Sequence, residues 1–173
     1  MCDRRFLSRV LLERLTTGIR AGVLAASATA GVLVGFGLRQ EMPARAFNAA
    51  GSIVLDRRTD GVWQFDALVT PVGVLVHIAW MIMLGIVLAL VATNRRGIWL
   101  LLLAVLVSLA AFALNAYVVP PHLRPGSYAL GNTAAVVVLY ATLALGLAAG
   151  VALSQRRVRD RYDRYDAGGV STG

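Results

Sequence analysis

The sequence contains no lysine and few charged residues of any kind. Only 15% of its 173 residues are charged, whereas a soluble domain carries about a quarter. All 17 basic residues are arginines, and the only glutamates are Glu13 and Glu41. Hydrophobic residues make up 58% of the chain, and the mean hydropathy is +0.69. This shortage of charge excludes an ordinary soluble domain and indicates a chain that lies largely in lipid.

Residues that commonly carry catalysis or bind metals are also scarce. Cys2 is the only cysteine, so no disulfide can form within the chain. His77 and His122 are the only histidines, and His122 lies in a proline-rich segment, which argues against a bis-histidine haem site. No zinc-protease, serine-hydrolase or P-loop motif occurs, and no motif identifies a family. We therefore predict no metal and no cofactor, and an enzyme is not favoured.

Four long apolar blocks make up most of the chain. Each contains 20 to 23 residues and no acidic residue, which is enough to cross a hydrocarbon core of roughly 30 Å. Backbone groups in lipid must bond within their own segment, so the blocks are helices. The predicted fold class is an all-α polytopic membrane protein with a four-helix transmembrane bundle. The predicted spans are 19–38, 71–93, 98–119 and 133–154.

The arginines are divided unequally between the two ends of this predicted bundle. Twelve lie on the side of the chain termini and five on the other side. Because positively charged segments stay in the cytoplasm, we predict that both ends of the chain are cytoplasmic and that the membrane is a bacterial inner membrane. The twelve are Arg4, Arg5, Arg9, Arg14, Arg20, Arg95, Arg96, Arg156, Arg157, Arg159, Arg161 and Arg164, and the five are Arg39, Arg45, Arg57, Arg58 and Arg124.

The segments at the two ends flank the transmembrane domain, predicted over 19–154. Residues 1–18 are predicted to form a cytoplasmic amphipathic segment rich in arginine, and residues 155–173 a cytoplasmic basic tail. Both segments are expected to contact anionic lipid, and nucleic acid is not an expected partner. The alternative for the N-terminal segment is a signal peptide cleaved near Ala46. The long charged region, which contains Glu13, favours a retained first helix.

The outer loop, residues 39–70, is predicted to form a short extracytoplasmic cap. A short helix is expected after Pro43, ending near Gly51. Trp63 and Phe65 precede the second span and are expected at the level of the lipid headgroups. The other outer loop is proline-rich and ends at Asn132, which is suited to cap the fourth span.

Small residues recur at every fourth position in the first and fourth spans. Such stripes let helix backbones approach each other closely in lipid. They predict packing inside the bundle, or an outward face that binds a partner subunit or a second copy. The helix-packing candidates are Gly18, Gly22, Ala26, Ala30, Gly31, Gly35, Gly146 and Gly150.

A few polar side chains lie inside the spans at comparable depths. His77 is six residues into the second span, or roughly 9 Å from its outer end. Thr29, Asn115 and Tyr140 lie at similar depths in the other three spans, and Trp80 is close to His77 in sequence. We predict that these residues form one polar layer, in which a neutral His77 bonds to Asn115 or Tyr140.

These patterns do not name one activity. The favoured interpretation is a structural or accessory membrane subunit that forms a homo-oligomer or joins a larger membrane complex. The alternative is a protein that binds or carries a quinone, a lipid or a similar small molecule in a pocket around His77. An enzyme that uses this pocket and the outer loop is a third hypothesis. A cavity beside His77 would favour binding, and a flat outward face of small residues would favour the accessory role.

Overall fold

All elements in the part of the chain that the structure describes are helical. The computed structural model describes residues 4–59, 61–92, 95–118 and 132–168. Four of its helices are long and apolar enough to cross a membrane, so the predicted all-α fold with four spans is confirmed. The helices are α1 (Arg4–Arg39), α2 (Arg45–Leu55), α3 (Val69–Val91), α4 (Ile98–Ala113) and α5 (Thr133–Gly168), with a 3-10 turn at Asp56–Thr59 and a π-helix at Leu114–Val118.

The first and last helices extend well beyond the predicted spans. Helix α1 begins at Arg4, so the predicted amphipathic segment is continuous with the first span. Helix α5 continues to Gly168, although the span was predicted to end at residue 154. Neither extension contains a proline, so nothing in the backbone interrupts the hydrogen bonds between successive turns. A hydropathy pattern identifies the part of a helix that lies in lipid and not the whole helix.

Helix α2 is also longer than the sequence indicated. The break predicted near Gly51 does not occur, and the helix continues to Leu55. Gly51 is buried against the start of α3, where a Cβ atom would lie 3.2 Å from the carbonyl oxygen of Val69. This glycine therefore serves a close helix contact instead of a chain break. Of the predicted proline-rich outer loop, only Asn132 lies within the described residues, and its Oδ1 accepts a hydrogen bond from the backbone N–H of Ala134, as expected for a cap.

Helix α1 is the centre of the bundle. It packs along both α3 and α5, while α4 packs mainly against α5. The connection from α3 to α4 ends at Gly97, whose positive φ of 57° favours glycine. Although α3 and α4 are consecutive helices, they contact each other much less than either contacts its main partner. The four spans therefore do not form a ring of equal contacts.

Glycines let α1 approach its two neighbours at backbone distance. A Cβ atom on Gly22 would lie 2.6 Å from the carbonyl oxygen of Met81 in α3. A Cβ atom on Gly146 of α5 would lie 2.9 Å from the Cα atom of Ala25 in α1. Both positions therefore pack the interior of the bundle, as one of the two interpretations of the stripes predicts. Gly18 and Gly150 repeat these contacts nearby, Ala26 is buried, and Ala30 is partly buried.

Gly31 and Gly35 differ from the other small residues of α1. Both are exposed, and apart from the neighbouring backbone of α1 itself, no described atom lies within 4 Å of the position that a Cβ atom would occupy on either residue. They take no part in packing within the described chain. The pair therefore faces away from the other described helices.

A buried asparagine joins α2 to the following loop and to α3. The Asn48 side chain is 1% exposed. Its Nδ2 donates hydrogen bonds to the carbonyl oxygens of Val62 at 2.9 Å and Gln64 at 2.8 Å. Its Oδ1 accepts a hydrogen bond of 2.7 Å from the hydroxyl of Thr70. Because these bonds satisfy the buried amide, they hold α2 over the start of α3.

Two further contacts fix the start of α3 beneath α2. The Oδ1 atom of Asp66 accepts hydrogen bonds from the N–H groups of Val69 at 2.7 Å and Leu68 at 2.8 Å. These bonds lower the pKa of the Asp66 carboxyl below its ordinary value of 3.8. Gly73 of α3 touches α2 directly, and a Cβ atom there would overlap the carbonyl group of Phe47.

The outer surface of the spans is apolar. Leu75 in α3 is 66% exposed, Leu106 in α4 is 60% exposed, and Leu145 in α5 is 61% exposed. Water would disfavour so much exposed leucine, whereas hydrocarbon accommodates it. The surface and the four long apolar helices together indicate a multi-pass membrane protein.

We predict that the close contact between α1 and α3 is sensitive to a single methyl group. Gly22→Ala places a Cβ atom against the backbone of Met81 and should lower stability by about 1–3 kcal/mol. Gly35→Ala is the matched control, because that position is open, and it should be neutral or slightly stabilising. Thermal unfolding of both variants in the same detergent measures the difference. Equal melting temperatures would contradict the close contact.

Candidate functional site

A small cavity lies between the spans beneath α2. Its volume is about 60 Å³. It lies where α3 and α5 face each other, and these two helices make few direct contacts. Most of its walls are apolar, and polar groups come from only a few side chains. The lining residues are Thr29 and Leu33 of α1, Ala46, Ala50 and Ile53 of α2, Val76, His77, Trp80 and Met81 of α3, Asn115 of the π-helix, and Leu139, Tyr140 and Leu143 of α5.

His77 is held by α1 through its Nε2 atom. This atom lies 3.1 Å from the Oγ1 atom of Thr29 and 3.4 Å from the carbonyl oxygen of Ala26. The imidazole ring also meets the ring of Phe47 edge to face, with the ring centroids 5.6 Å apart. His77 is 9% exposed and Thr29 is fully buried. The histidine therefore has a fixed position between α1, α2 and the cavity.

Asn115 reaches the cavity from the π-helix that continues α4. Its side chain is 4% exposed. Its Nδ2 donates a hydrogen bond of 3.0 Å to the hydroxyl oxygen of Tyr140 on α5. Its Oδ1 is buried and has no hydrogen-bond partner among the described residues. A π-helix changes the direction of the side chains that follow an α-helix, and such segments are frequent at functional sites.

The structure brings the predicted polar layer together, but with a different pattern of hydrogen bonds. Thr29, His77, Trp80, Asn115 and Tyr140 all line the same cavity. The expected bond from His77 to Asn115 or Tyr140 is not formed. His77 bonds to α1, and Asn115 and Tyr140 bond to each other. The number of residues from the outer end of each predicted span placed these side chains at one level. It did not determine which helices face each other at that level.

The contribution of α2 to the site was not predicted from the sequence. Ala46, Ala50 and Ile53 line the cavity from above, and none of them was a candidate. Their spacing of four and three residues was the available signal, because it places all three on one helical face. The predicted helix ended near Gly51, before Ile53, so this face was not recognised from the sequence.

The chemistry that the cavity walls offer is hydrogen bonding. No group of three or more histidine, cysteine or acidic residues suited to a metal ion occurs within the described part of the chain. The cavity walls contain no carboxylate and no thiol. They provide an imidazole, a carboxamide, two hydroxyl groups and the indole of Trp80 beside an apolar surface. This composition is typical of sites that recognise a small molecule.

The comparisons with known proteins add no assignment. No protein-family model, no curated protein and no solved structure matches the chain. The fold and the cavity therefore define only a class, that of multi-pass helical membrane proteins with a small internal cavity. Any function must be argued from the geometry of the chain itself.

We predict a measurable coupling between Thr29 and His77. Thr29→Val removes the hydroxyl at nearly constant volume, and His77→Phe removes the ring nitrogens. The double variant should lose less stability than the sum of the single variants by about 0.6 kcal/mol, as for interhelical bonds in lipid. Unfolding in detergent measures the difference. Ser108→Ala, which changes a buried hydroxyl away from the cavity, is the control partner for His77→Phe and should show no coupling. Equal coupling in both pairs would contradict the bond.

Proposed function

We propose that this chain is a membrane protein that binds a small, mostly apolar molecule in the cavity beneath α2. The observation that supports this function is the cavity itself. Elsewhere in the bundle, α1 approaches its neighbours so closely that several contacts require glycine. Beside Thr29, His77, Asn115 and Tyr140, in contrast, about 60 Å³ remains open. Small-molecule sites in helical bundles combine apolar walls with a few polar groups that fix the orientation of the ligand.

The size of the cavity limits what it can hold. By this measure of volume, about 60 Å³ corresponds to roughly four water molecules. Each buried water needs 2–4 polar partners, by general survey of protein interiors. The four polar side chains use most of their donors and acceptors on one another or on the backbone, so they supply too few partners for a cluster of waters. A single small molecule, or the polar end of a longer lipid-soluble one, fits the walls better.

We predict that such a molecule accompanies the protein through purification in mild detergent. Val76→Phe enlarges a half-buried side chain of the cavity wall and should exclude the ligand. Leu75→Phe creates the same side chain one residue away, on a surface that is 66% exposed, and serves as the matched control. Solvent extraction and mass spectrometry should find the same lipophilic compound with the wild-type chain and with Leu75→Phe, and a loss of at least about tenfold with Val76→Phe, because its binding space is filled.

The comparison between these variants can overturn the proposal. Equal amounts of every extracted compound in all three preparations would show that the compounds are associated with the detergent micelle and not with the cavity. Thermal unfolding of Val76→Phe is measured on the same preparation. It separates a folded chain that has lost its ligand from a misfolded one.

A second candidate is an accessory subunit, which the exposed pair Gly31 and Gly35 favours. These two glycines leave a flat strip of α1 that nothing in the described chain covers. Flat strips of small residues promote association of helices in lipid. The partner in this proposal is a second copy or a subunit of a larger membrane complex. The same purified preparation tests it, because a monomer without a stoichiometric partner protein would exclude this role.

We further propose that the chain lies in a bacterial cytoplasmic membrane with both of its ends in the cytoplasm. The uneven distribution of arginine supports this orientation, and it also supports contact of the cytoplasmic ends with anionic lipid. The cavity and α2 would then lie towards the outer face.

We predict the outcome of reporter fusions from this orientation. Alkaline phosphatase is active only after export, so it should be inactive when fused after residue 168 and active when fused after Thr59, on the opposite side. Fluorescent-protein fusions at the same positions should give the reverse pattern. Phosphatase activity at residue 168 would refute the proposed orientation.

A further inference from the structure

The unsatisfied oxygen of Asn115 is the first indication of what the cavity binds. This residue is 4% exposed, and its Nδ2 is already used in the hydrogen bond to Tyr140. The Oδ1 atom is an acceptor only, and it has no partner among the described residues. A buried acceptor without a donor is unfavourable, and more so in lipid, where water is scarce. The site therefore lacks a hydrogen-bond donor at this atom.

His77, which lines the same cavity, carries a second acceptor. The hydroxyl of Thr29 donates to the carbonyl oxygen of Ala25 at 2.7 Å, so its oxygen accepts from Nε2 of His77. The carbonyl oxygen of Ala26, at 3.4 Å from Nε2, can also only accept. The hydrogen of a neutral imidazole consequently lies on Nε2, and Nδ1 is left as an acceptor. The charged imidazolium is disfavoured, because no carboxylate lines the cavity to pair with it.

The remaining walls determine the body of the ligand. Leu33, Ile53, Leu139 and Leu143 contribute apolar surface, and Trp80 contributes the edge or face of an indole ring. Such walls favour an aromatic ring or a hydrocarbon chain. Two acceptors in an apolar cavity are complemented by a molecule that carries O–H groups on an apolar body.

We infer that the cavity binds the hydroxyl end of a lipid-soluble phenol or hydroquinone, with the O–H group donating to Oδ1 of Asn115. This inference rests on the proposed binding function and adds the chemical class of the ligand. The site discriminates against molecules of the same shape that can only accept hydrogen bonds, such as an aryl ether or a quinone. Those molecules would place a second acceptor beside the unsatisfied Oδ1 atom of Asn115.

The experiment compares 4-bromophenol with 4-bromoanisole, which differ by one donor. Bromine quenches tryptophan fluorescence at short range. The chain contains three tryptophans, and replacing Trp63 and Trp99 with phenylalanine leaves Trp80, which lines the cavity, as the only reporter. A second variant that keeps only Trp99, which is 61% exposed on α4, reports general partition into the micelle. Titration of the full-length protein in detergent gives an apparent affinity for each compound after this correction.

The expected result is saturable quenching of Trp80 with an affinity for 4-bromophenol about tenfold higher than for 4-bromoanisole, the value of one hydrogen bond to a buried acceptor. Asn115→Leu should reduce this ratio to near one. Equal affinity of the wild-type chain for the two compounds would overturn the donor inference and leave the binding function intact. Absence of saturable quenching by either compound would overturn both. The comparison in the wild-type cavity decides the question even if Asn115→Leu does not fold.

Discussion

The close approach of α1 to its two neighbours is the constraint on which the rest of the structure depends. On one side Gly22 meets the backbone of α3, and on the other side Gly146 of α5 meets Ala25. In lipid, where hydrocarbon surrounds every helix, such contacts gain dispersion energy that longer side chains would prevent. Because α1 holds α3 and α5 in this way, those helices are brought to face each other across a small gap, and the cavity occupies that gap. The packing of the bundle and the location of the site therefore have the same origin.

The sequence predicted the parts of the fold that the membrane dictates. Four spans follow from hydropathy, because a buried backbone in lipid must form helices of a certain length. The true helix ends were not predictable in the same way, since the arginine-rich start of α1 is compatible with either a separate segment or a continuous helix. The end of α2 was wrongly predicted at Gly51 for a related reason. A glycine in a loop sequence usually marks a turn, but here it permits a contact with α3 that only the folded bundle contains.

The depth of the candidate-site residues within the spans was predictable from the sequence, but their hydrogen bonds were not. The fixed rise of a helix places Thr29, His77, Asn115 and Tyr140 at one level once the spans are known. The rotation of each helix about its axis depends on packing between spans, so the pairing of His77 with Thr29 could not be derived. The π-helix was equally hidden, because the stretch Leu114–Val118 has no residue that marks a change in helical pitch. It is this change that leads into the buried Asn115, whose unsatisfied oxygen defines the proposed ligand.

Gly73 does not line the cavity, yet it determines how closely α2, which forms one wall of the cavity, approaches α3. The carbonyl group of Phe47 occupies the place where any other residue at position 73 would carry its Cβ atom. The two helices can approach this closely because Gly73 carries a hydrogen atom in place of a Cβ atom. Asn48 holds α2 at this distance through hydrogen bonds to Val62, Gln64 and Thr70. The volume of the cavity therefore depends on the contact between these two helices. Substitutions at that contact could enlarge or close the cavity without changing any residue that lines it.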